Sequence, residues 1–254
     1  MKALAKVELP SGGDWLFELK LDGIRAVAFR DGDKLQVFSR RPRDLTDEYL
    51  EIVAALRRLP ATKWVMDGEI VALDERGHSS FQLLQNRKRV YGKSSPLFFY
   101  VFDLINLDGR DLKTLSLTQR RSGLNTLLAG AGDPLRFSES LDAPAPAVWR
   151  EITRHGLEGV IAKRRDSIYE PGRRSGAWLK IKALREQEFV IGGYTPPGGS
   201  RKFFGSVVVG YYSKGKLMFA SRVGTGFDFA TLKSLFALFQ KHRGEKCPFA
   251  DLPT

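Results

Sequence analysis

The stretch "FELKLDGIRA", residues 17–26, sets strand-forming apolar residues around Lys20, Asp22 and Arg25 with a glycine at position 23. Read as a strand, its side chains alternate. Leu16, Glu18, Lys20 and Asp22 share one face, while Phe17, Leu19 and Leu21 share the other. The second face reads as core and the first as the wall of a polar pocket. A lysine so placed is either a solvated edge residue or a nucleophile held in a cleft, and its neighbours along the chain decide between the two.

Outward from this stretch, "IRAVAFR" and "KLQVFSR" flank Asp31, Gly32 and Asp33, a hairpin signal. "LTDEYLEIVAALRRL" at 45–59 has helical spacing, with Thr46 as N-cap and Pro60 as stop. Strand patterns follow at 63–73 and 96–105, and helical ones at 79–90, 117–128 and 144–155. Gly156 stands where the last of these helices ends, and "LEGVIAKR" resumes strand character. The pattern predicts an α+β domain over 1–185, with helices packed on largely antiparallel sheets. Composition shifts after "WLKIKALREQ". From residue 188, "EFVIGGYT", "GSVVVGYYS" and "KLMFASRV" read as short strands separated by "PPGGSRKFFG" and a Ser213–Gly215 turn, and a helix over 228–242 follows. A small β-barrel of the oligonucleotide-binding (OB) type is expected over 186–254, with its final helix packed on the barrel.

The chain has 254 residues, enough for a sizeable core, and 43% hydrophobic with 28% charged residues mark a soluble globular protein. Its longest apolar run, "PLFFYVF" at 96–102, is too short to span a bilayer. The N-terminus has no apolar signal core, so a cytoplasmic, nucleoid-associated protein that does not engage membranes is expected. Cys247 is the single cysteine and cannot form an internal disulfide, and three scattered histidines give no zinc-site spacing. Any metal must be held by carboxylates and substrate oxygens. Lys and Arg number 41 against 29 Asp and Glu, a net charge of +12 that suits a polyanionic partner.

Other strands carry what a nucleotide site needs. "VMDGEIVAL" puts Asp67 and Glu69 on one face, spaced to accept from a sugar hydroxyl or to bind a cation. "FYVFDL" puts Tyr100 and Phe102 on one face, where a ring can stack on a base. Glu158 in "LEGVIAK" is costly in an apolar strand unless paired or metal-bound. In "WLKIK", Trp178, Lys180 and Lys182 share a face, and two adjacent ammonium groups call for an anion such as phosphate. A lysine near other cations has a lowered pKa, which frees its amine to attack an α-phosphate.

"KLDGIR", "SRRPRDLT", "DGEIVAL", "FYVFDL", "LEGVIAK" and "WLKIK" stand in the order and approximate spacing of the covalent nucleotidyltransferase motifs. The chain resembles ATP-dependent DNA ligases, most of all the ligase domains of bacterial DNA ligase D, which act in non-homologous end joining. "ASRVGTGFD" is similar to the start of that family's second domain. The resemblance implies that Lys20 attacks ATP and keeps AMP as a lysyl-AMP phosphoramidate. AMP then passes to the 5′-phosphate of a nick, and the 3′-hydroxyl displaces it. By the same resemblance Arg25 and Glu69 hold the ribose, Phe102 stacks on adenine, and the main chain around Glu18 reads the adenine edge. Glu158 helps bind Mg²⁺ or Mn²⁺, and Lys180 and Lys182 grip the α-phosphate.

By the same resemblance Arg40 is expected to contact the nick's 5′-phosphate. "SRRPR", with Arg41 and Arg43, and "RRSGAWLKIK", with Arg173 and Arg174, are expected to touch DNA. Lys163 sits less securely in the site, because alternation from Glu158 puts it on the opposite face. A monomer acting on nicked or broken duplex DNA is expected, with a Ku-type end-binding protein and a repair polymerase as partners.

Nothing after Asp228 matches the Arg-x-Asp-Lys core that such ligases carry in the barrel domain, so a C-terminally truncated barrel is expected, with self-adenylylation the step most affected. Two other readings share parts of this pattern. An RNA ligase or capping-type nucleotidyltransferase keeps the lysine chemistry with another base or acceptor, and a non-catalytic nucleic-acid-binding relative keeps only the charge.

Overall fold

The computed structural model describes residues 1–86, 95–183, 189–199, 201–244 and 246–251. The chain divides into two compact units, Met1–Leu184 and Arg185–Thr254. The first runs β1 (Leu4–Lys6), β2 (Trp15–Leu19), β3 (Ile24–Asp31), β4 (Lys34–Ser39), α1 (Leu50–Arg57), β5 (Lys63–Ala72), α2 (Phe81–Asn86), β6 (Leu97–Leu107) and β7 (Arg110–Asp111). It continues with α3 (Leu117–Leu128), β8 (Leu135–Phe137), β9 (Ser140–Leu141), α4 (Ala145–Arg154), β10 (Gly159–Arg164) and β11 (Trp178–Lys182).

Two sheets build this unit. One has the order β1-β11-β10-β2-β9; the other has the order β4-β3-β5-β6-β7, with β8 pairing alongside β6. Pairing is antiparallel except for β1 on β11 and β8 on β6. Each sheet is apolar on its outer face. In the first sheet Phe17, Val160, Ala162, Leu179 and Ile181 pack against Val148 and Ile152 of α4. In the second, Ala26, Ala28, Met66, Ile70, Phe99 and Val101 pack against Ile52 and Leu56 of α1 and Leu124 and Leu127 of α3. Each such Leu, Ile or Phe side chain stabilises by about 1.5–3 kcal/mol on full burial. With helices covering the outer faces, the polar alternate positions of both sheets are left for the site.

The quoted stretch is not one continuous strand. β2 stops at Leu19 and β3 starts at Ile24, so Lys20–Gly23 carries the chain from one sheet to the other. Gly23 is forced by crowding, since a Cβ there would lie 2.2 Å from the carbonyl oxygen of Ile70. Asp22 pins the turn. Its backbone N–H donates to Ser79 Oγ (2.9 Å), and its Oδ2 accepts from the N–H of Phe81 (3.0 Å) at the start of α2.

The helix expected over 45–59 is shorter, and Thr46 is not its cap. Thr46 Oγ1 accepts from the N–H of Val37 and donates to Asp44 Oδ1, while α1 begins after Tyr49. A side chain tied to the neighbouring strand β4 keeps residues 44–49 in a turn. The helix ends at Arg57, where the Arg30 guanidinium donates to the carbonyls of Arg57, Leu59 and Ala61. The expected helix over 117–128 forms with a capping box of Ser116 and Gln119. Of the helix expected over 79–90, residues 87–90 lie outside the described residues, as does the expected domain boundary near 186.

In the second unit β12 (Val190–Tyr194), β13 (Val207–Ser213) and β14 (Lys216–Val223) form an antiparallel sheet, followed by α5 (Phe229–Lys241). Asp228 caps α5 by accepting from the N–H of Thr231 (2.8 Å). Leu232, Leu235, Phe236 and Phe239 of the helix pack on Tyr194, Phe204 and Val207, so α5 is a packing helix. On the other face Phe249 sits against Gly192 and Gly210, where any Cβ would collide with its ring. Among the described residues, no helix is long and apolar enough to cross a membrane.

Candidate active site

The inner faces of the two sheets in Met1–Leu184 line a cavity bordered by Glu18, Lys20, Glu69, Phe102, Ser138, Ile161, Lys163 and Trp178, among others. The register explains the grouping. Glu18 stands opposite Ile161, Lys163 opposite Trp178, and Ile161 opposite Lys180, so polar alternate residues from three strands share one face. From the second sheet, Arg25 lies opposite Glu69 and Glu69 opposite Tyr100.

Lys20, half-buried at the turn, continues the pairing of β2 through its N–H to the carbonyl of Gly159 (2.9 Å). Its ammonium is ion-paired with Glu158 Oε1. Glu158 precedes β10 rather than lying in it. Gly159, at φ 151°, would bring a Cβ within 2.1 Å of the Ile181 carbonyl oxygen, and this strained residue breaks the side-chain alternation. For that reason Lys163 is not on the face opposite the pocket but inside it. Glu158 Oε2 is buried and has no hydrogen-bond partner.

At the inner wall, Glu18 is fully engaged. Its Oε1 accepts from Lys163 Nζ and Arg121 Nη1, both at 2.7 Å, and its Oε2 accepts from Ser138 Oγ at 2.9 Å. Burial lowers the Lys163 pKa, opposed by Glu18. The Lys163 ammonium lies 4.3 Å from the ring centroids of both Phe102 and Trp178, which meet edge to face at 5.8 Å.

Arg25 forks onto Asp67, with Nε to Oδ1 at 3.0 Å and Nη2 to Oδ2 at 2.5 Å, and its Cζ lies 5.5 Å from the Phe102 centroid. Asp67 also accepts from Tyr169 Oη at 2.7 Å and is wholly buried, so it braces Arg25 and leaves Glu69 as the strand's pocket carboxyl. Burial pushes the Glu69 carboxyl up to about 8, against the pull of Arg25 and Lys20. Below that pH it can donate as well as accept.

Lys180 and Lys182 follow Trp178 on the pocket face, half-buried and exposed respectively. Arg40, Arg41, Arg43, Arg173 and Arg174 are all exposed. Arg43 pairs with Glu48 at 3.0 Å, and the Arg40 N–H donates to the carbonyl of Arg25 at 3.2 Å, extending the edge of β4 beside the site.

Arg121, Ser138 and Tyr169 are pocket supports that motif reading passes over. Arg121 had a signal: with Leu117, Arg120, Leu124 and Leu128 it occupies core-facing helical positions, where an arginine needs a buried partner. Arg120 finds one in Asp103, at 2.7 and 2.9 Å.

Glu158 offers a buried free oxygen and Glu69 a second carboxyl within its electrostatic reach, a donor set that fits a hard divalent cation.

The ligase domain of Mycobacterium tuberculosis LigD matches this fold with a TM-score of 0.63 at 39% identity, over 99% of this chain and 81% of that one. A mycobacterial DNA ligase D complexed with ATP and MES matches with a TM-score of 0.61 at 36% identity, over 98% and 82%. The fold is thus a nucleotidyltransferase domain followed by an OB-type region. Residues 2–182 match the ATP dependent DNA ligase domain family, and residues 200–254 match the ATP dependent DNA ligase C terminal region. The chain belongs to the ATP-dependent DNA ligase family. The multifunctional non-homologous end joining protein LigD of Pseudomonas aeruginosa is 38% identical over 251 residues, covering 97% of this chain, and that of Mycolicibacterium smegmatis is 39% identical over 94%. The chain spans 30% and 31% of the length of these two relatives.

Proposed function

We propose that this chain seals breaks in duplex DNA through a lysyl-AMP intermediate, in the end-joining repair for which its relatives are named. The observation that carries this is the pairing of Lys20 with Glu158 at the mouth of a cavity walled by Phe102, Ile161 and Glu69. The Lys20 amine, after losing its proton, attacks the α-phosphorus of ATP. The Nζ–P bond forms, the bond to the β-phosphate oxygen breaks, and pyrophosphate leaves. An oxygen of the DNA 5′-phosphate then takes AMP from Lys20, and the 3′-hydroxyl attacks that phosphate and expels AMP.

Phe102 and Ile161 would clasp the adenine, the main chain around Glu18 read its edge, and Glu69 and Arg25 hold the ribose. Lys180 and Lys182 would neutralise the α-phosphate. Glu158, joined by Glu69, would hold Mg²⁺ or Mn²⁺, which supplies charge neutralisation on the phosphates when bound. Met1–Leu184 would be the adenylation domain and Arg185–Thr254 the OB-type domain. The exposed Arg40, Arg41, Arg43, Arg173 and Arg174 would contact DNA phosphates, with binding that weakens as salt rises. A Ku-type end-binding protein and a repair polymerase are the partners this role requires, and the nucleoid is where a monomer would meet them.

The test is incubation with α-labelled ATP and a divalent metal, followed by detection of label on the denatured chain. Label that falls to background in Lys20→Ala is the expected result. Label that survives the substitution overturns the assignment of the nucleophile.

A further inference from the structure

Tyr169 stands outside every motif that carries the proposed chemistry, yet its side chain is buried against Trp178 of the cavity wall. It belongs to the connection between β10 and β11, which is anchored independently of the tyrosine hydroxyl. The Tyr169 N–H donates to the carbonyl of Lys113 (2.8 Å), and Arg120, forked onto Asp103, donates through Nη1 to the carbonyl of Ser167 (2.8 Å). The Tyr169 ring meets Trp178 edge to face at 6.1 Å, and the Arg120 Cζ lies 5.8 Å from its centroid. Ring and backbone are thus held in place before the hydroxyl makes any bond.

Burial, followed by the charge of Asp67, raises the pKa of that hydroxyl, so it stays protonated as a donor to the carboxylate. Its acceptor is Asp67 Oδ2 (2.7 Å), the oxygen that also accepts from Arg25 Nη2, while Asp67 Oδ1 accepts from Arg25 Nε. Arg25 and Asp67 stand on β3 and β5 of the second sheet, whereas Tyr169 approaches from a connection of the first. Oδ2 is therefore gripped from both sides, and turning the carboxylate would break a bond on one of them. The fork occupies one edge of the Arg25 guanidinium. Nη1 has no partner among the described residues, and the Cζ lies 5.5 and 5.8 Å from the centroids of Phe102 and Trp178, two rings of the cavity wall. A guanidinium is planar and rigid, so the direction of its remaining N–H groups is set by the carboxylate it forks onto.

We propose that Tyr169 is a positioning residue whose hydroxyl, through Asp67, aims Arg25 at the sugar of the bound nucleotide and so sets a preference for ribose over deoxyribose. The inference rests on reading the cavity as an ATP site with Arg25 at the ribose.

The test measures the efficiency of Lys20-dependent capture of ATP, 2′-deoxy-ATP and 3′-deoxy-ATP by wild type, Tyr169→Phe, Arg25→Lys and the double variant. Wild type should capture one of the deoxy analogues on the order of tenfold less efficiently than ATP, the scale of a hydrogen bond from a charged donor. Tyr169→Phe keeps the ring and its packing, and should reduce this preference to about threefold or less by lowering capture of ATP more than capture of the analogue. In the Arg25→Lys background, which lacks the fork, the same change should not alter the preference further. A preference that persists in Tyr169→Phe overturns the proposal, even where capture of every nucleotide falls in proportion, because that is what a purely structural role produces. So does an additive effect of the two substitutions on the preference. If Tyr169→Phe fails to fold, Asp67→Asn interrupts the same path and is scored by the same criterion. Equal capture of the three nucleotides by wild type overturns the proposal without any variant. Each of these failures leaves Lys20-dependent capture of ATP, and with it the nucleotide site, standing, whereas loss of that capture in wild type removes both.

Discussion

Two glutamate–lysine pairs lie in one cavity and do opposite work. At the mouth, Lys20 meets Glu158, whose second oxygen is without a partner. At the inner wall, Lys163 meets Glu18, whose two oxygens accept from Lys163, Arg121 and Ser138. Side chains at the mouth are 17% and 28% exposed, against 2% and 3% at the wall. The same functional groups become reactive where satisfaction is incomplete and water is near, and become architecture where both carboxylate oxygens are engaged and water is excluded. A buried charge with all its partners fixes geometry, while one with a vacancy is poised for a ligand.

Several substitutions sharpen or break this contrast. The largest effect is expected for Glu18→Ala, which leaves Arg121 and Lys163 buried without their carboxylate and should cost about 3–5 kcal/mol by urea unfolding. A loss below about 1 kcal/mol would erase the distinction between wall and mouth.

A smaller effect concerns pH. The Glu69 carboxyl, near 8 when folded against 4.5 ordinarily, holds a proton that the unfolded chain has released between those values. The folded state binds more protons there, so this group's contribution to stability falls as pH rises from about 4.5 to 8. A full proton would give about 1.4 kcal/mol per pH unit, and a half-buried carboxyl only part of that. Glu69→Gln should remove this part of the slope in melting curves taken across the range, and an unchanged slope would locate the titration elsewhere.

The smallest stability effect is expected for Glu158→Gln, about 1 kcal/mol or less by the same urea measurement, because the mouth pair keeps more contact with water than the wall pair. The same variant should nonetheless lose most AMP capture. Stability and activity would then part company at the mouth and move together at the wall.

Much of this was legible in the sequence, and the misses share a cause. Alternation correctly set Glu18 against Phe17 and Trp178 against Leu179, since those residues lie inside regular strands. It failed for Lys163 because counting from Glu158 crosses Gly159, where the backbone leaves the regular pleat. It also carried β2 through Lys20, although the strand stops at Leu19, because sequence periodicity does not show where a chain changes sheets. Thr46 was read as a cap from its local neighbours, while its actual partner, Val37, belongs to another strand. The fork of Arg25 onto Asp67 was not legible, because it joins strands that only the fold brings together.

Gly23 carries a consequence of its own. A methyl group there would collide with the Ile70 carbonyl oxygen at 2.2 Å and with Val71 Cγ1 at 2.8 Å. The path that delivers Lys20 to the pocket is thus set by shape, at a position with no functional group. In a mutational scan scored on AMP capture, Gly23→Ala should register as inactivating alongside Lys20 itself, and a scan that tolerates alanine at 23 would show that the turn can shift without moving the nucleophile. A residue with no side chain would then behave, to any assay of function, as part of the active site.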